Sequence, residues 1–182
     1  MTRSPCDTCS GPSSTVAMTI YALGGVSGTG KTHFRTTCDC LRGLRTLDIA
    51  DVYEDSIAEG TPDLHWKTAL ERFAGRVRGL LEEDSSSDLV LEAFFRPDGE
   101  QRRVIASLAQ TYGTRVRWGW AYAPREDCLS RLANEVGGHD SAERVEKRIS
   151  FIRSAEPMFF LARPTESLER IAGWAGAPAH DS

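Results

Sequence analysis

The sequence predicts a three-layer α/β/α fold, with a parallel five-stranded sheet between helices and a helical lid. Three observations predict it. Short apolar runs alternate with longer segments of helical period along most of the chain. The run at 88–94, Asp-Leu-Val-Leu-Glu-Ala-Phe, is almost continuously apolar, as a strand covered on both faces must be. A glycine-rich turn joins the first apolar run to a segment free of Gly and Pro, which is the strand–turn–helix order of a parallel sheet.

Each element follows from its local sequence. Thr19 to Gly24 is β-branched, aromatic and apolar, so it is a buried strand. A helix is expected from Lys31 to Leu41, then a short strand from Arg45 to Ala50. After Pro62, residues Trp66, Leu70, Phe73, Val77 and Leu80 or Leu81 recur at helical spacing and are expected in the core. Pro97-Asp98 opens another helix, with Val104, Ile105 and Leu108 inward and an end near Gly113. Thr114 to Tyr122 alternates as a strand, with Val116, Trp118 and Trp120 on one face. Pro124 starts a helix to about Val136, Gly137-Gly138-His139-Asp140 breaks the chain, and Ser141 to Ser154 is an arginine-rich helix. Phe159 to Leu161 is expected as the last strand, and Thr165 as the N-cap of a final helix ending near Trp174, which packs it down. Residues 1–17, rich in Ser, Thr, Pro and Cys, read as a disordered leader, or as an extension ahead of a start at Met18. Residues 18–178 read as one domain.

Gly25-Val26-Ser27-Gly28-Thr29-Gly30-Lys31-Thr32 is a complete G-x-x-x-x-G-K-[ST] phosphate-binding loop. Its glycines let successive N–H groups point inward at phosphate oxygens, and the helix that follows adds partial positive charge. Lys31 is placed to reach the β- and γ-phosphates of ATP, and the Thr32 hydroxyl to ligate Mg²⁺. The fold is therefore expected to be that of a P-loop NTPase.

Bulk properties narrow the function. The chain has 182 residues, a net charge of −4 and a pI near 5.6. An acidic chain does not grip long nucleic acid through its overall field, so a small acceptor is favoured over a polynucleotide. No apolar run approaches the roughly 20 residues that span a bilayer, and no signal peptide is evident, so a cytoplasmic protein is expected. Cys6-x-x-Cys9 has metal-ligand spacing and Cys38-x-Cys40 could supply a second pair. The odd total of five fits free thiols instead. The guanine-reading Asn-Lys-x-Asp is absent, since Asn134 is the only Asn. Arginines are spaced through the C-terminal third at Arg131, Arg144, Arg148 and Arg153, as phosphoryl transfer needs cations over the migrating group. A lid that brings them in also excludes water.

These residues resemble the P-loop kinases grouped with polynucleotide kinase and the zeta-toxin family. The phosphate loop is one point of similarity. Asp51, just after the second strand, is another. Ala123-Pro124-Arg125-Glu126-Asp127-Cys128-Leu129-Ser130-Arg131 is similar to the segment that leads into the lid of such kinases. Gly137-Gly138-His139-Asp140, followed by Arg144 and Arg148, is similar to the lid itself. The resemblance covers most of residues 18–175 and implies an ATP-dependent phosphotransferase that moves the γ-phosphate to a hydroxyl of a small molecule or nucleotide. A polynucleotide 5′-hydroxyl kinase and a non-catalytic ATP-binding regulator or toxin-type protein are the alternatives.

The resemblance implies that Asp51 is the general base; Asp48, inside the strand, and Asp55 are second and third choices, and the bland role for Asp51 is a helix N-cap. Glu92 would support Mg²⁺ through a water, or pair with Lys31 or an arginine. Arg131, Arg144 and Arg148 are the lid cations; Arg144 and Arg148 lie one helical turn apart. Arg96 would meet an anionic group or cap a loop. Arg102 and Arg103 would be solvated, and His139 would serve loop structure. Trp66, Trp118 and Trp120 would be core or pocket wall.

Overall fold

A computed structural model describes residues 18–61, 64–96, 99–135 and 142–160. Four parallel strands form one sheet in the order β2-β3-β1-β4. They are β1 (Thr19–Gly24), β2 (Arg45–Asp48), β3 (Leu89–Glu92) and β4 (Arg115–Trp120). The central position of β3 explains its composition: Leu89, Val90, Leu91 and Glu92 are all buried. Leu23 of β1 is opposite Glu92, and Asp48 of β2 is opposite Glu92 on the other side. The carboxyl ends of three strands therefore meet at one place.

Between the strands run α1 (Lys31–Thr37), α2 (Ile49–Ala58), α3 (Trp66–Glu83) and α4 (Glu100–Thr111). Beyond β4 come α5 (Arg125–Glu135) and α6 (Ala142–Ser154). The main core joins alternate sheet residues Ile20, Ala22, Leu89 and Leu91 to Phe73 of α3 and Ile105 of α4. α3 presents Ala69, Leu70, Phe73, Val77 and Leu81 to it, at the expected helical period. On the opposite face Leu23 and Ala121 pack with Phe34 of α1. A second, smaller core holds α5 and α6 together through Cys128, Leu132, Val145, Ile149 and Ile152, and takes in Val26 of the phosphate loop.

Several elements differ from the sequence expectation. β2 stops at Asp48, and Ile49 and Ala50 begin α2 instead of extending the strand. The cause is a capping box: the Asp48 carboxylate accepts from Ala50 N–H at 2.9 Å, while Asp51 accepts from Asp48 N–H at 3.2 Å. α1 ends at Thr37, where the Thr36 and Thr37 hydroxyls bond back to His33 and neighbouring carbonyls. Cys38 is its C-cap and Cys40 lies in the turns beyond, so neither sits on the helix. β3 ends at Glu92, before Ala93 and Phe94. The five-stranded sheet is corrected to four: Phe159 belongs to a 3₁₀ turn, Pro157–Phe159, because its ring packs into the α5–α6 core against Phe94 and Trp120. Trp66 is exposed rather than core: it is the first residue of α3, ahead of the buried stripe that begins at Ala69 and Leu70.

The expected leader at 1–17, the Gly137–Asp140 break with His139 and the helix at 165–174 lie outside the described residues. No described helix is long and apolar enough to cross a membrane.

Phe73 is fully buried, with its ring centroid 6.4 Å from that of Phe95. Phe73→Ala is expected to cost about 3–5 kcal/mol, read from urea unfolding. A loss below about 1 kcal/mol would contradict this account of the core.

Candidate functional site

The site forms where β1, β2 and β3 end. After Gly24 the chain turns through Gly25 at φ 144°, Gly28 at 79° and Gly30 at 88° before α1 begins. Side chains tie the turn from within. Thr29, buried, donates to the Val26 carbonyl at 2.8 Å. The Lys31 ammonium donates to the Gly25 and Val26 carbonyls at 2.9 and 3.0 Å. Burial pulls the Lys31 pKa below its ordinary value, and the carboxylates of Asp48 and Glu92 oppose that shift.

The turn is also held from outside. A Cβ on Gly28 would stand 2.7 Å from the Cys128 carbonyl oxygen and 2.9 Å from its Cα, so the loop touches the α5 backbone there. Arg131 of α5 donates to the Gly28 carbonyl at 2.7 Å. Val26 is buried between α5 and α6. The Cys128 thiol is pushed up to about 11 by burial, which makes it an inert packing group.

Glu92 is only 1% exposed, yet both its oxygens are engaged. Oε2 accepts from the Thr32 hydroxyl at 2.9 Å and Oε1 accepts from Arg35 Nε. Of the partners expected for this carboxylate, the structure supplies an arginine. Lys31 contributes to its surroundings by charge alone. The Thr32 hydroxyl and Glu92 form a hard-oxygen pair of the kind Mg²⁺ takes. Among the described residues no group of three or more His, Cys, Asp and Glu could hold a metal by itself, and Cys38 and Cys128 are free thiols.

A cavity of about 780 Å³ opens over the loop. That is the size range of small-ligand sites. Asp48 lines it, as do Arg131, Arg144, Lys147 and Arg148. Burial raises the Asp48 pKa; the Ala50 N–H opposes this and the nearby Glu92 charge reinforces it. Asp51 does not stand among the residues lining the cavity. It is exposed on the first turn of α2, bonded back to the Asp48 amide. Asp55 pairs with Arg76 on the surface. Arg96 pairs with Glu156 at 3.5 Å and stacks on Phe159, away from the cavity. Arg102 lies over the Trp118 ring at 4.7 Å, and Arg103 is exposed.

Sequence reasoning missed Arg35 and Phe151. Arg35 is four residues after Lys31 and three after Thr32, so helical spacing already put it on their side of α1. Phe151 follows Arg144 by seven residues and Arg148 by three, the same face of α6, and it lines the cavity.

Among solved structures, the chain is similar to a candidate kinase from Chloroflexus aurantiacus J-10-fl, at 18% identity and TM-score 0.57 over 76% of this chain and 79% of that one. It is similar to APE1195 at 20% identity and TM-score 0.59, over 87% and 93% of the two chains. It is also similar to the tunicamycin resistance protein of Deinococcus radiodurans, at 20% identity and TM-score 0.53, over 87% and 96%. No family model matches the chain, and no curated protein matches it. The likeness shows the fold alone: a parallel α/β sheet flanked by helices.

Gly28→Ala is expected to cost about 1–3 kcal/mol in urea unfolding, because the φ is left-handed and the new methyl meets the α5 backbone. Gly43 is the control: its φ is 88°, but nothing lies within 4 Å. Equal effects at the two positions would refute the contact between loop and α5.

Proposed function

We propose that the chain is an ATP-dependent phosphotransferase that moves the γ-phosphate of ATP to a hydroxyl on a small molecule. One observation carries the reading. A phosphate loop, a partly buried carboxylate at Asp48 and three arginines face a single cavity. A pure nucleotide sensor has no use for a buried base beside the phosphates. That one of the similar structures is described as a kinase is consistent with this.

The loop amides and Lys31 would bind the β- and γ-phosphates. The ammonium already sits on the Gly25 and Val26 carbonyls, so phosphate oxygens would replace weak acceptors with charged ones. Thr32 and Glu92 would hold Mg²⁺, Thr32 directly and Glu92 through a water; the metal, when bound, neutralises phosphate charge. Arg131, Arg144 and Arg148 would meet the charge that spreads over the migrating group. Asp48 would orient the acceptor hydroxyl and take its proton. Asp48 takes this role in preference to Asp51, because it is the carboxylate that lines the cavity. Its raised pKa suits a base that must be ionised in use yet accept a proton late in transfer.

Lys31→Ala is expected to remove nearly all transfer from γ-labelled ATP to a metabolite extract while unfolding stays cooperative; persistent transfer would reject the site. In Asp48→Asn, kcat should fall roughly 10²–10⁴-fold with ATP binding retained, since Asn also caps helices. The pH dependence has a definite sign. The Asp48 pKa is raised, so wild-type kcat/KM should fall as pH drops through a value above the ordinary carboxylate range. Asp48→Asn should lose that limb. An unchanged limb in the variant would assign it elsewhere.

A further inference from the structure

We propose that the acceptor is a small alcohol bearing an aromatic ring, its hydroxyl at Asp48 and its ring against Phe94 and Phe151. The inference rests on the phosphotransferase reading above and names the class of its substrate. Sheet register supplies the first observation. Asp48 is opposite Glu92, where the register ends, and the residues that follow, Ile49 and Ala50 at the start of α2 and Ala93 and Phe94 after β3, leave the carboxyl edge of the sheet from that one level. All four line the cavity and all four are apolar. Tyr53, one turn along α2, and Leu64 continue the wall.

Phe151 is the second observation. It lines the cavity yet is 45% exposed, a large apolar surface facing the site. Its ring meets Phe94 edge-on with centroids 5.3 Å apart. Phe94 is in turn fixed edge-on by Trp120 at 5.4 Å and Phe159 at 5.3 Å. A ligand ring laid here covers apolar surface and joins an aromatic cluster that is already rigid. A polyol would instead set hydroxyls against Ile49, Ala50, Leu64 and Phe94, where Tyr53 is the one polar side chain of that wall, so most of them would lose water without a partner. The cations on α6 precede Phe151 in sequence, so one helix face carries phosphate-seeking groups at one end and a ring at the other.

The step balances simply. The acceptor O–H gives its proton to the Asp48 carboxylate, and its oxygen forms a bond to the γ-phosphorus. The bond from that phosphorus to the β–γ bridging oxygen breaks, and ADP leaves with the electron pair. The products are ADP and an aryl-alcohol phosphate monoester.

Transfer from γ-labelled ATP with Mg²⁺ to 2-phenylethanol, glycerol and D-glucose tests this, beside calorimetry of ATP binding. Expected is a kcat/KM for 2-phenylethanol at least about tenfold above both polyols. Phe151→Ala, an exposed change that should fold, should raise the KM for 2-phenylethanol roughly tenfold, with a smaller effect on kcat. Phe94→Ala should do the same. Three results overturn the acceptor assignment alone when ATP still binds: polyols used as well or better, no transfer to 2-phenylethanol, or transfer indifferent to Phe151→Ala. Failure of ATP to bind overturns this inference together with the phosphotransferase reading.

Discussion

A carboxylate buried to 1% exposure at the end of the central strand is the constraint around which the rest is arranged. An ion that far from water is stable only when paired and hydrogen-bonded. Glu92 meets that demand with the Thr32 hydroxyl on one oxygen and Arg35 on the other. Both partners lie on α1, so the start of that helix is fixed to the end of β3. The start of α1 is also where the phosphate loop ends. The charge in the sheet thus sets the position of the loop, and two flanking strands bring Leu23 and Asp48 to the same level.

The loop is gripped on its other side by different physics. There the contacts are mostly steric and apolar, Gly28 on the α5 backbone and Val26 in the core between α5 and α6, with one hydrogen bond from Arg131 to a loop carbonyl. The cavity inherits this division. Its cationic groups come from the loop and the helical pair, while its apolar wall comes from the strand ends, α2 and Phe151 of α6. Asp48 stands at the boundary. It caps α2 and faces the cavity at once, so a single side chain belongs both to the fold and to the wall of the site.

Much of this was legible in the sequence. The phosphate loop was, because its mechanism demands glycines, a lysine and a hydroxyl at fixed spacing. Strands β1, β3 and β4 and helices α3 and α4 followed from apolar period. Arg131, Arg144 and Arg148 were chosen on spacing, and all three line the cavity. What could not be read turned on local competition. Ile49 and Ala50 extend an apolar run, so they look like strand, yet Asp48 and Asp51 form a reciprocal cap that starts a helix there. The carboxylate that reaches the cavity therefore comes three residues earlier than resemblance suggested. Phe159-Phe160 has strand composition, but the aromatic cluster around Phe94 claims Phe159. Trp66 fits the helical period, but the buried stripe of α3 begins only at Ala69 and Leu70, after it. Arg35 has a role only once Glu92 is known to be buried, and burial of a charge is a tertiary fact.

Val26 is a loop residue that belongs to the smaller of the two cores. The glycine-rich loop is consequently tied to the packing unit made by α5 and α6, not only to the sheet it follows in sequence. Proteins open locally along such units. Were α5 and α6 to part, the loop would lose its outer support at Val26 and Gly28 while the main core kept its own contacts, so the shape of the turn and the seating of the helical pair stand or fall together.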